Sequence, residues 1–84
     1  GKYAEAGPLF ERCQAVQEKV LGPEHPNLAI TLYSRAGLLE RQGKYAEAGP
    51  LYERCQAIQE KVLGPEHPYL AITLGSRAGL LERQ

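Results

Sequence analysis

The residues of this chain that could support chemistry include two histidines and two cysteines, each recurring after the same interval. His25 and His67 both lie in the sequence PEHP, where a histidine could act as a metal ligand or a general base. No second ligand follows at helical spacing, and the HExxH pattern is absent. We therefore expect each histidine to be a loop residue that accepts a backbone hydrogen bond at a helix N-terminus. Pairing of the two histidines across the repeats is the alternative.

The two cysteines, Cys13 and Cys55, could supply a nucleophile, a disulfide or a metal site. The CxxC pattern is absent, and no base lies at a motif distance. Both residues fall on an apolar helical stripe, where cysteine behaves as a small hydrophobic residue. We predict that both thiols are buried and inert.

Other catalytic signatures are also absent from the sequence. Ser34 has no GxSxG context, and the GKY at 43–45 lacks the spacing of a phosphate-binding loop. Glu5, Glu11 and Glu18 are expected to form a solvated face. Because each polar group recurs in the same role, unlike groups do not converge as an active site requires. The sequence predicts no enzyme, and no catalytic, metal or cofactor site.

An internal repeat is the dominant feature of the 84-residue chain, which is predicted to be one repeat-array fragment over 1–84. Residues 1–42 and 43–84 align without gaps as two copies. They differ only at four pairs of positions: Phe10/Tyr52, Val16/Ile58, Asn27/Tyr69 and Tyr33/Gly75. A period of this length is typical of a solenoid, in which stacked units bury each other's apolar faces.

Each copy is predicted to contain two amphipathic helices, because its apolar residues recur at intervals of three and four. The predicted helices span about 4–21, 27–41, 46–63 and 69–83. Gly22 followed by Pro23 supplies a stop signal, and Gly43 is the expected cap of the second helix. Pro26 suits the first turn of a helix, whereas Pro8 predicts a tolerated bend. The fold class is all-α.

The overall composition narrows the possible partners. Ten basic residues balance ten acidic ones, which argues against nucleic acid and anionic membranes as partners. The sequence has no apolar run long enough to span a bilayer and no signal-peptide pattern. Two distant cysteines suggest a reducing, cytoplasmic location. The chain lacks methionine, so we expect it to be part of a longer protein.

The stretch LYSRAGLLERQGKYAEAGPLYERCQAIQEKVLGPEHP resembles a tetratricopeptide repeat. It is most similar to the 42-residue variety of kinesin light chains and of the C-terminal arrays of NOD-like, nucleotide-binding receptor proteins. The resemblance implies an α-solenoid of antiparallel helix pairs in a right-handed superhelix, whose concave groove binds a peptide or protein. Arg35, Arg77 and Gln56 stand where the family usually has leucine. We expect the stem of Arg35 to lie on the core while its guanidinium reaches water.

The resemblance also defines a candidate partner-binding face. On a helical wheel one arc of each first helix lies opposite the apolar stripe, and by resemblance this arc faces the groove. Its residues are Asn27, Ile30, Tyr33, Ser34, Gly37, Glu40 and Arg41 in the first copy and Tyr69, Ile72, Gly75, Ser76, Gly79, Glu82 and Arg83 in the second.

The drastic differences between the copies, at Asn27/Tyr69 and Tyr33/Gly75, fall on this face. They indicate either a recognition array varied repeat by repeat or drift after duplication. Tyr69 is a candidate aromatic anchor. The basic and Asn set that chaperone-binding members use is missing at the matching positions, so an acidic chaperone tail is not the expected ligand.

The two ends of the chain lie on either side of a joint that also occurs inside it, at the sequence ERQGKY. By resemblance, the chain begins with the second helix of one repeat and stops after the first helix of another. Both ends should therefore expose apolar stripes, which suggests part of a longer array. The rival function is a structural array that self-assembles end to end through contacts between copies of itself.

Overall fold

The computed structural model describes residues 2–84, which form four helices and no strand. The helices are α1 (Tyr3–Val20), α2 (Pro26–Arg41), α3 (Tyr45–Val62) and α4 (Pro68–Arg83). Each helix begins one residue before its predicted start. The predicted all-α helical repeat is confirmed. Gly1, the first residue of the first copy, lies outside the described residues.

Glycines end the first three helices in the left-handed conformation that favours this residue. Gly22, Gly43 and Gly64 have φ values of +92°, +77° and +95°. At Gly43 the amide donates to the carbonyl of Glu40, and the next amide, of Lys44, donates to the carbonyl of Leu39. This paired bonding satisfies two carbonyls that the helix end leaves free, so the predicted cap at Gly43 is confirmed.

Histidines cap the N-terminus of the second helix of each copy. The Nδ1 atom of His25 accepts a hydrogen bond from the Asn27 amide at 3.1 Å, and Nδ1 of His67 accepts one from Tyr69 at the same distance. A proline follows each histidine as the first helical residue, where its missing amide costs nothing. The predicted capping role of both histidines is confirmed.

Prolines also occur inside α1 and α3. Pro8 and Pro50 lie early in these helices, and both helices continue past them to Val20 and Val62. A proline near the start of a helix removes a hydrogen bond only from the first turn, so most of the helix keeps its backbone bonding.

The core lies mainly between α2 and α3, at the centre of the molecule, while α1 packs on α2 and α4 packs on α3. Two buried clusters form this core. The first lies in the central joint between α2 and α3, and the second also includes a residue of α4. The first contains Leu28, Ala29, Leu32, Cys55 and Ile58, and the second contains Ala36, Ala48, Tyr52 and Leu80.

The prediction that both cysteines are buried is wrong for Cys13. Cys55 is fully buried in the central joint, whereas Cys13 is exposed on α1. The two residues lie on equivalent stripes, but α1 is covered on one side only. Burial raises the pKa of the Cys55 thiol, which keeps it protonated and inert.

The arginines that depart from the family pattern bind the glutamines of the preceding helix. Arg35 donates to the Gln14 side chain from Nη1, and its Nη2 lies 3.6 Å from Glu11. Arg77 donates to Gln56 in the same way. The side chain of Arg35 is only 21% exposed. The arginine and glutamine that depart from the family pattern are therefore hydrogen-bonded partners.

Candidate functional site

A shallow groove runs between α2 and α4, with α3 beneath it. Its volume is about 280 Å³. The lining residues are Ile30, Tyr33, Gln59, Tyr69, Ile72 and Thr73. The side chains of Ile30, Tyr69 and Ile72 are each about half exposed, so the walls of the groove are large apolar surfaces open to solvent.

The floor of the groove is polar but internally bonded. Thr73 donates its hydroxyl proton to Oε1 of Gln59 at 2.6 Å, and both side chains are buried. The same hydroxyl lies 3.2 Å from the carbonyl oxygen of Tyr69 and 3.6 Å from the sulfur of Cys55. Within residues 2–84 no buried side-chain nitrogen or oxygen lacks a hydrogen-bond partner. A ligand therefore meets apolar walls over a floor in which the Thr73 hydroxyl and the Gln59 carbonyl oxygen are already hydrogen-bonded.

Tyr33 ties the two copies together at the edge of the groove. Its hydroxyl lies 2.7 Å from the Ser76 hydroxyl on α4. Its ring packs edge-on against Tyr52, with centroids 5.5 Å apart and an angle of 69° between the rings. These contacts hold Tyr33 in place, so the wall that it forms is preorganised.

Glu40 is bonded within the protein at the far end of α2. Its side chain is only 11% exposed; it accepts a hydrogen bond from the Tyr52 hydroxyl at 2.7 Å and pairs with Arg83. Burial, followed by the bond to Glu40, raises the pKa of Tyr52 far above the usual tyrosine value. Glu40 and Arg83 were candidates for ligand contact, but here they join the two copies.

The other candidate residues of this face do not line the groove. Ser34, Gly37, Ser76 and Gly79 are partly exposed, while Asn27, Arg41, Gly75, Glu82 and Arg83 are exposed. At Gly75 and Gly79 no atom lies within 4 Å of an added Cβ, so both positions have free space above them. The structure thus gathers four of the fourteen candidates around one groove: Ile30, Tyr33, Tyr69 and Ile72.

Sequence reasoning missed Gln59 and Thr73. Gln59 comes from α3, which was not part of the candidate face, and Thr73 lies on the side of α4 turned towards the core. A signal was present, because Gln17 and Thr31 occupy the same places in the first copy and make the same 2.6 Å bond. Polar residues repeated at fixed spacing beside an apolar stripe indicate a buried hydrogen-bonded pair.

The sequence that forms these four helices matches a known family model. A model described as tetratricopeptide repeat matches residues 1–48 and again residues 29–84. The chain belongs to the tetratricopeptide repeat family. A search of curated proteins finds no match to the chain. Tetratricopeptide repeats are non-enzymatic scaffolds that generally mediate protein–protein interactions.

Among the helices within residues 2–84, none combines the length and apolar character needed to cross a membrane. That part of the chain also has no group of three or more His, Cys, Asp or Glu residues placed to hold a metal ion.

Proposed function

We propose that this tetratricopeptide chain is a recognition module whose groove between α2 and α4 binds a protein segment through an apolar side chain. The observation that carries the proposal is the convergence of three half-exposed apolar residues, Ile30, Tyr69 and Ile72, on one groove. Exposed apolar surface that converges on a concavity is favourable for burial by a partner. The ring of Tyr69 contacts that of His67, with ring centroids 4.8 Å apart.

The groove is uncharged, which limits the class of ligand. None of its six lining residues is ionisable apart from the two tyrosines. We infer an extended peptide or protein segment that inserts an aliphatic or aromatic side chain. An acidic tail would find no cation among the six described residues that line this groove.

We further propose the finer assignments that the sequence suggests. The repeats are of the 42-residue kinesin-light-chain-like type in a right-handed superhelix, and the module has no catalytic role, cofactor, nucleic-acid ligand or membrane partner. A cytoplasmic location is supported by the two cysteines, which are both free thiols.

The test exploits the difference between the two copies. Tyr69→Asn installs the residue that the first copy carries at Asn27, so the helix start keeps a side chain that the fold already accommodates. Peptides selected on the wild-type chain from a displayed random library are measured by fluorescence anisotropy. We expect their affinity for Tyr69→Asn to fall at least about tenfold, because a buried aromatic anchor dominates binding.

Val20→Ala serves as the matched control, since Val20 is an exposed apolar residue of α1 outside the groove. Circular dichroism checks that both variants keep their helicity. Equal affinity of the selected peptides for wild type and Tyr69→Asn would contradict the proposal and would favour drift as the origin of the Asn27/Tyr69 difference.

End-to-end self-assembly is the second candidate function. It is favoured by exposed apolar residues on both outer helices, including Leu9 and Val16 on α1 and Leu74 and Leu81 on α4. It does not compete with the groove for residues, so the chain can have both properties.

A further inference from the structure

We propose that the outer faces of α1 and α4 bind each other between two copies of this chain, head to tail, in the geometry of the central joint between α2 and α3. This inference rests on the second candidate function, end-to-end self-assembly, and is independent of the groove. The occupant of the exposed face of α4 is the α1 face of a second copy, and the interface repeats the internal one with a shift of one 42-residue unit.

The apolar surfaces of the two ends are the separate halves of the central joint. On the α2 half, Leu32 is fully buried, whereas its equivalent Leu74 on α4 is 45% exposed. On the α3 half, Ile58 is 4% exposed, whereas its equivalent Val16 on α1 is 54% exposed. Each end therefore presents the surface that the other end lacks.

Within one molecule, ion pairs between the two repeats set the register in which the repeats stack. Glu18 lies 2.8 Å from Arg54, and Glu24 lies 2.7 Å from Lys61. A third pair joins Glu40 to Arg83. In every case the first copy supplies the glutamate and the second copy supplies the cation.

The same residue types stand unpaired at the two ends. The equivalents of the three glutamates are Glu60, Glu66 and Glu82 in the second copy, and those of the three cations are Arg12, Lys19 and Arg41 in the first. All six are exposed, and none belongs to an ion pair within residues 2–84. When one molecule stacks on the next, each of these glutamates meets one of these cations. The end faces thus match in charge as well as in apolar shape.

The proposed joint between two molecules lacks two contacts that the central joint within one molecule has. Tyr33 packs against Tyr52 and bonds Ser76, but its equivalent in the second repeat is Gly75, which has no side chain to do so. Tyr52 bonds Glu40, but its equivalent in the first repeat is Phe10, which has no hydroxyl. The association is therefore weaker than the internal packing and reversible. Because the two faces differ, each added chain presents a new free face, and the mass grows with concentration.

The first experiment measures mass by light scattering across a concentration series of the full chain. We expect wild type to associate, and the charge reversals Glu60→Arg with Glu66→Lys to weaken association at least about tenfold through like-charge repulsion. Arg12→Glu with Lys19→Glu should have the same effect from the other end. An equimolar mixture of the two variants should associate again, because reversed ends then meet their complements.

The matched control is Glu5→Lys with Glu47→Lys, which changes the net charge equally at two exposed residues without an ion pair in residues 2–84. We expect this variant to associate like wild type. A monomer at every wild-type concentration would overturn the proposal, as would a mixture of the reversed variants that fails to associate while each stays helical.

A variant that is expected to strengthen association tests the same interface. Gly75→Tyr supplies the missing aromatic residue at a position with free space for it, where it can meet Phe10 and Ser34 of the next copy. We expect it to strengthen association at least about threefold, within the range of one aromatic contact. No change, or a loss, contradicts the assigned register.

The reaction rates of the two thiols test which faces are covered on association. Cys13 should react more slowly with a thiol reagent as the concentration rises, because the neighbouring α4 covers it, while Cys55 stays slow throughout. A Cys13 rate independent of concentration in associated protein would overturn the assigned faces. Tyr69→Asn should leave association unchanged, which separates this proposal from that of the groove.

Discussion

Nearly identical sequences have different surroundings in the central joint and at the outer faces. Cys55 and Cys13 lie on equivalent turns, yet the first is fully buried and the second is exposed. Leu32 is fully buried, and its equivalent Leu74 is almost half exposed. In this solenoid the position in the array, and not the local sequence, decides whether a side chain contributes to the core.

The largest contrast is expected for leucine truncation. Leu32→Ala should lower the free energy of unfolding by about 3 kcal/mol, because it leaves a cavity in the central joint. Leu74→Ala should cost less than about 1 kcal/mol, because solvent already reaches that side chain. Urea unfolding at a low protein concentration measures both values. Equal losses would show that the joint and the end face are equally packed.

A smaller effect is expected from the hydroxyl that distinguishes Tyr52 from Phe10. Tyr52→Phe should destabilise the protein by about 2 kcal/mol, because the largely buried Glu40 loses a hydrogen-bond donor. Phe10→Tyr is the matched reciprocal change and should be close to neutral. Thermal unfolding followed by circular dichroism compares the two variants, and an unchanged melting temperature for Tyr52→Phe would contradict the importance of this bond.

Tyr52 also predicts a dependence on alkaline pH. Its pKa in the folded protein is raised, so its contribution is complete below the ordinary tyrosine pKa of 10.0 and is lost as the pH rises above that value. Wild type should lose more stability than Tyr52→Phe between pH 9 and pH 11, values that bracket about 10. Parallel losses in the two proteins would contradict the raised pKa.

Features governed by neighbouring residues along the chain were predictable from the sequence. The helices, the Gly43 cap and the histidine caps depend on local backbone rules, and the structure has them within one residue of the predictions. Features governed by a neighbouring helix were not. The exposure of Cys13 and the bond from Arg35 to Gln14 depend on which helix packs alongside.

In the candidate site, too, the features set within one helix were predictable and those set by a neighbouring helix were not. A helical wheel placed Tyr33, Tyr69 and Ile72 on one face, and the structure brings them to one groove. The wheel could not reveal that Glu40 bonds Tyr52 and Arg83, since both partners come from other helices. It also could not include Gln59, which reaches the floor of the groove from α3.

The smallest expected effect concerns the ion pair of Glu18 with Arg54. Hydrogen bonds from Gln14 and then from Arg54 lower the pKa of Glu18, so its contribution is present above the ordinary value of 4.5 and is lost as the pH falls through the lowered value. Glu18→Gln should cost less than about 1 kcal/mol at neutral pH, as is usual for a surface pair, and nothing in strong acid. Urea unfolding at both pH values measures the difference; the same cost at both would contradict the lowered pKa.

Residue-resolved hydrogen exchange at two protein concentrations tests the central claim most directly. At the lower concentration we expect amides of α2 and α3 to be more protected than those of α1 and α4, because the core lies between the two central helices. At the higher concentration the outer helices should gain protection as their faces are covered. Uniform protection of all four helices that does not change with concentration would contradict the account.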